Sequence, residues 1–429
     1  MAAPWLPLLL VFGSAQRGVA QDVGVALSAG GSTGLLAGLC NLATLESLKP
    51  DAVSKAVVGT ASGGTLAALL HGNVDELHFP TAGLGVGDLS LRALNQSGDG
   101  TDGAPWFASI LREIPDGITA SALFEAIEAG LHGRDWFPSL LADVATKAYK
   151  KKTWEPTPFV AQVAAFPARG PLPLHVDPRN GSLPLANASS ALVPGEFDMA
   201  TGSLLLPTVP RTWIQVSAVE AAAASSAFWA GMILADADDG RLERDAKEAL
   251  LMKKDDYYLG DGGLVEPFGV VPLLRRGLKT LLVFVNCPED LESDGALLSF
   301  LFGVDGSTDF GNVWPGKELL HVFPSDLYAE TRAALTGPDA FAHLKNVSVR
   351  RNAYLAVDAY DVDDLLIFSN QRSATFLEAL PAGVAATLDR DWPLGVAMGM
   401  SPVEANLLCA FNDWKVRAQS DAVRAALGA

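Results

Sequence analysis

The chain has 429 residues, 49% hydrophobic and only 19% charged, with a formal net charge of −18. That composition fills a large core and is far from that of a disordered chain. So acidic a chain, with no long basic stretch, argues against nucleic acid as a partner. No apolar run reaches the ~18 residues needed to cross a bilayer.

The first segment, "MAAPWLPLLLVFGSAQRGVAQ", has an apolar run from Trp5 to Phe12 followed by small residues. It reads as a signal peptide over 1–20, so the expected location is secreted or in the endomembrane lumen. Sequons at Asn95, Asn180, Asn187 and Asn346 add to that expectation. The three cysteines, Cys40, Cys287 and Cys409, lie in apolar surroundings. They form at most one disulfide or remain three buried thiols, and their spacing is not that of a metal site.

Residues Asp22 to Ser28 alternate as a strand, followed by the loop "SAGGSTG". A helix then carries Leu35, Leu39, Leu42, Leu45 and Leu48 on one face, and Pro50 stops it. "VVGTASGGTLAALLHG" repeats the pattern: a strand at Val57–Val58, a tight turn from Thr60 to Gly64, and a short helix from Thr65. Such a βαβ opening predicts a parallel sheet.

The stretch 73–210 predicts a divergent insertion or cap within a single domain over 21–429. Ten prolines between Pro156 and Pro210 read there as neither regular helix nor inner strand. A basic cluster, Lys147 and Lys150 to Lys152, reads first as a solvated helix face and second as a contact for anionic lipid. Regular structure resumes with a strand at Trp213–Ser217 and an Ala-rich helix. After a loop containing Asp261-Gly262-Gly263 come a short helix closed by Gly277 and a buried strand, Leu281–Val285. Near the end, Ser401, Pro402 and Glu404 form a capping box, and Val403, Leu407, Phe411 and Trp414 give its helix a core-facing stripe.

Three places can carry chemistry. Ser62 stands at a strand-to-helix corner, which exposes a hydroxyl beside unpaired helix N–H groups. The glycines of "SAGGSTG" free backbone N–H groups at a helix start, but no Lys follows as in a Walker loop, and the G-x-G-x-x-G spacing is absent. The Asp261 carboxylate could accept a serine proton directly. Six histidines, His71, His78, His132, His175, His321 and His343, offer an alternative base.

In chain order, "ALSAGGSTGLLAGLCNLATL", "GTASGGTLAALL", "SSAFWA" and "YYLGDGGLVEPFGVVPLLRRG" resemble the signature segments of the patatin-like and cytosolic phospholipase A2-like lipid acyl hydrolases. The resemblance covers most of Asp22 to Arg417 and is weakest in 73–210. It implies an α/β fold, a three-layer α/β/α with a mainly parallel central sheet. It implies Ser62 as nucleophile, Asp261 as base and Gly30 and Gly31 as the oxyanion hole, with no metal or organic cofactor. The implied substrates are phospholipids or lysophospholipids; peripheral membrane contact is the second reading of the lysine cluster alone. Neutral acylglycerols are an alternative substrate, and a catalytically silent lipid-binding protein is an alternative function. Two departures stand out: Thr60 replaces the elbow's usual glycine, and Thr33 stands where relatives carry a headgroup-binding arginine.

Overall fold

The computed structural model describes residues 22–71, 81, 83–95, 159–167, 193–207, 211–214, 218–226, 252–254, 256–287, 291, 297–304, 317–388 and 402–428. The signal segment, the Lys147–Lys152 cluster, the sequons at Asn180 and Asn187 and the N-cap Ser401 lie outside them.

Among the described residues eleven strands form one sheet: β1 (Val23–Leu27), β2 (Val57–Thr60), β3 (Phe159–Pro167), β4 (Val193–Asp198), β5 (Ser203–Leu206), β6 (Arg211–Ile214), β7 (Met252–Lys254), β8 (Tyr257–Asp261), β9 (Thr280–Val285), β10 (Phe341–Val349) and β11 (Tyr360–Ser369). Its main path is β10-β11-β9-β1-β2-β3-β4-β5-β6, with β8 pairing both β3 and β7. The central five, β11-β9-β1-β2-β3, are parallel. Antiparallel strands extend the sheet on both sides.

Helices cover both faces, as an all-buried parallel centre requires. One face carries α1 (Gly31–Leu48), α2 (Gly63–His71) and α3 (Ala218–Ser225). The other carries α4 (Val271–Arg275), whose Leu273 and Leu274 enter a second core with Phe268 and Val283. The fold is thus the expected three-layer α/β/α. The last long helix, α5 (Pro402–Ala418), lies against α1. Leu407 and Phe411 of its stripe are buried, with Val403 and Trp414 packed beside them, so the helix faces the core as its periodicity predicts. A disulfide joins Cys40 of α1 to Cys409 of α5, and Cys287 is a buried cysteine outside it.

Three regions differ from the sequence expectation. The stretch with ten prolines contains three inner strands, β3, β4 and β5: "FVAQVAAF" and "SLLL" are proline-free, and β4 takes Pro194 into its pairing opposite Ala164. The loop before Asp261 is the strand β8, which gains its ladder from β3 rather than from local propensity. Both glycine-rich turns are also shorter than expected. α1 starts at Gly31 and α2 at Gly63, since the glycines wind into the helices' first turns.

Candidate active site

Strand β2 runs to Thr60, and α2 begins at Gly63, so the chain reverses at Ala61 and Ser62. Ser62 takes up the whole bend, with φ +51°. A non-glycine residue there costs about 1–3 kcal/mol and persists only where its surroundings impose it. A Cβ on Gly63 would collide with the Gly31 carbonyl, and one on Gly64 with the Leu27 carbonyl. The two glycines therefore let α2 start directly against the end of β1 and the first residue of α1.

Asp261 reaches Ser62 through the sheet. On one edge of β3, β2 pairs as far as Thr60 opposite Ala161. On the same edge β8 arrives antiparallel and ends with Asp261 opposite Val163. The two strand ends thus point at each other across a single β3 residue, Gln162. Ser62 Oγ donates to Asp261 Oδ2 at 2.8 Å, and Asp261 Oδ1 accepts from the Gly263 N–H at 2.6 Å. Asp261 is fully buried, and Ser62 is 6% exposed.

A chain of hydroxyls braces the bend. Ser225 Oγ donates to the Gln162 carbonyl at 2.7 Å, which commits its only proton. It therefore accepts from the Ser62 N–H at 3.2 Å and from Thr65 Oγ1 at 2.8 Å. Thr65 in turn accepts from Thr60 Oγ1 at 2.9 Å. Ser226 Oγ donates to the Ser62 carbonyl at 3.0 Å. The SSA segment thus grips the Ser62 peptide from both sides. Thr60 fits without deforming the turn because its hydroxyl ends this chain. The tight position is its neighbour Gly59, where a Cβ would strike the Gly269 carbonyl.

The glycine loop sits alongside. Gly30 (φ +133°) turns the chain sharply and Gly31 (φ +55°) opens α1. A Cβ on Gly30 would come within 2.9 Å of Cys287 Cα, whereas one on Gly31 would meet open space. The first N–H groups of a helix have no intrahelical acceptor, so they suit a developing negative charge. Beneath the loop, Ser28 Oγ accepts from the N–H groups of Asn286 (2.7 Å) and Cys287 (2.9 Å), tying β1 to β9.

One solved structure, human GIVD cytosolic phospholipase A2, is similar over 95% of this chain and 60% of its own length, at 12% identity and a TM-score of 0.46. The chain therefore spans about 60% of the length of that protein. No family model and no curated protein matches.

The described histidines stand apart from the Ser62–Asp261 pair. His343 pairs with Asp364 and His321 with Arg350. His71 closes α2, and burial lowers its pKa to about 4, so it does not serve as a cationic helix cap. His78, His132 and His175 lie outside the described residues. Thr33 is 1% exposed, inside the first turn of α1. Arg275 and Arg276 are engaged on the other face of the sheet. They bind Glu196 and Asp198, whose β3 partners Gln162 and Val160 alternate with Val163, so these acids point away from Asp261.

Two site residues carry weak sequence signals. Gln162 interrupts an otherwise apolar strand, and that interruption is its only mark. Its Nε2 donates to the carbonyls of Gly262 (3.0 Å) and Glu266 (2.7 Å). Glu266 hides in a motif read for its aspartate. It accepts from the N–H groups of Phe268, Val270 and Val271 at 2.5, 3.0 and 3.3 Å, capping α4. Burial pushes its pKa up to about 7, against the lowering effect of those N–H groups.

Proposed function

We propose that the chain is a serine lipid acyl hydrolase that cleaves carboxylic esters of phospholipids or lysophospholipids. The observation that carries this reading is the 2.8 Å hydrogen bond from Ser62 Oγ to a buried carboxylate, at the mouth of two helix N-termini. Asp261 Oδ2 takes the Ser62 proton as Oγ attacks the ester carbonyl. The N–H groups of Gly30 and Gly31 hold the tetrahedral oxyanion, each donor worth about 2.7–4 kcal/mol. Asp261 returns the proton to the departing alkoxide, leaving an acyl-serine. It then takes a proton from water, which attacks, and the acid leaves as Ser62 is reprotonated. An ordinary aspartate is a weak base, with pKa near ~4, so the step depends on this short contact and on the oxyanion donors.

Neutral acylglycerols are a second substrate reading, favoured by the burial of Thr33 and by the engagement of Arg275 and Arg276 with acids on the other face. A secretory location belongs to the same proposal. It is supported by the Cys40–Cys409 disulfide and the exposed sequons at Asn95 and Asn346.

The test is labelling of Ser62 by a fluorophosphonate together with turnover on paired phospholipid and neutral esters. Ser62→Ala should abolish both labelling and turnover, and Asp261→Asn should lower turnover by about 10³-fold or more in a folded protein. Turnover that survives Ser62→Ala refutes the hydrolase reading. Survival in Asp261→Asn alone transfers the base role to a histidine. A wild type that binds lipid but is never labelled would be the silent alternative.

A further inference from the structure

Lys415 is fully buried in α5, far along the chain from every segment assigned a role above. Its Nζ donates to Asn370 Oδ1 at 2.8 Å and to the Ser369 carbonyl at 3.1 Å, and lies 5.4 Å from the Phe411 ring centre. These partners are neutral. Burial accordingly holds its pKa well below the ordinary lysine value. A buried amine without an acidic partner is a stability liability, and an apolar side chain of similar volume is often neutral or stabilising in its place.

Its neighbours add to that liability. Asn41 Nδ2 donates to Asn286 Oδ1 at 3.1 Å, but Asn41 Oδ1 and Asn286 Nδ2 are buried without a hydrogen-bond partner. Each such atom costs about 1–3 kcal/mol. Five polar residues, Ser28, Asn41, Asn286, Asn370 and Lys415, are thus at most 2% exposed at the carboxyl ends of β1, β9 and β11.

The contacts lead to the glycine loop. Asn370 Nδ2 reaches the Asn286 carbonyl at 3.4 Å, and its own N–H donates to the Val285 carbonyl at 3.2 Å. The same Asn286 carbonyl bounds the space beneath Gly30, where an added Cβ would lie 3.0 Å from it. The Asn286 and Cys287 N–H groups hold Ser28 Oγ, which donates to the Ala29 carbonyl at 2.9 Å. From Lys415 one path of contacts, through Asn370 and Asn286, thus leads to the peptides beside Gly30.

We propose that Lys415 is a positioning residue for the Gly30–Gly31 loop, acting through Asn370 and Asn286. Its catalytic consequence rests on the hydrolase reading. Stability and reactivity then separate, as a merely structural lysine would not allow. Lys415→Met removes a desolvated amine but leaves Asn370 Oδ1 and the Ser369 carbonyl without it, so it should melt no lower than the core truncation Leu407→Ala. It should nevertheless react with fluorophosphonate at Ser62 about tenfold or more slowly, with kcat reduced in proportion and KM within about twofold, since one misplaced oxyanion donor costs about 10²–10³. Hydrogen exchange over 28–34 should accelerate. Leu407→Ala, a core truncation on the same helix, should instead lower the melting temperature and leave labelling unchanged.

A folded Lys415→Met that is labelled at the wild-type rate overturns the proposal. If that variant does not fold, Asn370→Ala decides: wild-type labelling there overturns it equally. A wild type that is never labelled sinks the hydrolase reading instead. Exchange over 28–34 then still judges the positioning claim, and exchange unchanged in Lys415→Met refutes it.

Discussion

Ser225→Ala removes the centre of the hydroxyl chain around Ser62. The Ser62 N–H loses its acceptor, the Gln162 carbonyl loses its donor, and Thr65 loses the oxygen to which it donates. Thr65 can rotate its hydroxyl elsewhere, but the two backbone groups are fixed in a site where Ser225 is fully buried. At about 1–3 kcal/mol for each unsatisfied group, the loss should be roughly 2–6 kcal/mol. Ser226→Ala, which removes a single bond to the Ser62 carbonyl from a partly exposed residue, should cost only about 1 kcal/mol. Urea unfolding of the two variants and the wild type measures the difference, with m unchanged if the denatured states are alike. The bend at Ser62 is unfavourable without its braces, so fluorophosphonate labelling should fall further in Ser225→Ala than in Ser226→Ala. A loss below ~1 kcal/mol in Ser225→Ala, or one no larger than in Ser226→Ala, would refute the claim that this chain holds the bend.

The pKa of Glu266 is raised from 4.5 to about 7 in the folded protein, so its stability contribution is complete below pH 4.5 and lost as the pH rises to about 7. The difference is worth about 3 kcal/mol, and Glu266→Gln should remove that slope from a urea-midpoint series; parallel curves would show that Glu266 does not titrate there. Gly262→Ala should be far more damaging than Gly263→Ala. A Cβ on Gly262 would run into the Gln162 carbonyl, whereas one on Gly263 would meet Ala29 Cβ at 3.2 Å and Asp261 Oδ1 at 2.9 Å, which side chains can yield; equal melting temperatures would contradict this. Thr33→Arg should lower the melting temperature without raising selectivity for phospholipid over neutral ester, because the position is buried. A stable variant with a strong gain in phospholipid selectivity would show that the site opens there.

The elements legible in the sequence are those whose information is local. β1, β2 and β9 are apolar runs bounded by turn residues, and Ser62 and the glycine loop lie at strand-to-helix corners. β8 is not local in this sense. "YYLGDGG" looks like a turn, and it is a strand because β3, about a hundred residues earlier, supplies one ladder and β7 the other. β3 itself is obscured by prolines at its ends: Pro156 and Pro158 precede it, and Pro167 is its last residue, opposite Tyr257 of β8. Lys415 shows a different limit. On an amphipathic helix a lysine reads as solvent-facing, but α5 packs against α1 on one side and against Phe376 and Val384 on another, so a polar position lies inside.

The proposed catalytic pair is therefore aligned by strand register and not by loop conformation. Thr60 and Asp261 face β3 residues two apart, Ala161 and Val163, a span of about 7 Å along the strand. Ser62, two residues beyond Thr60, turns into that gap. Shifting β8 by one residue would send the Asp261 side chain to the opposite face, where Arg275 and Glu196 lie. Gln162 opposes such a slip from inside the gap. Its side chain holds the Gly262 and Glu266 carbonyls just beyond Asp261, and its main-chain carbonyl holds Ser225, which holds Ser62. One residue thus sets the position of both members of the pair, which are 199 positions apart in the chain. That explains why a polar side chain lies fully buried in the middle of an apolar inner strand.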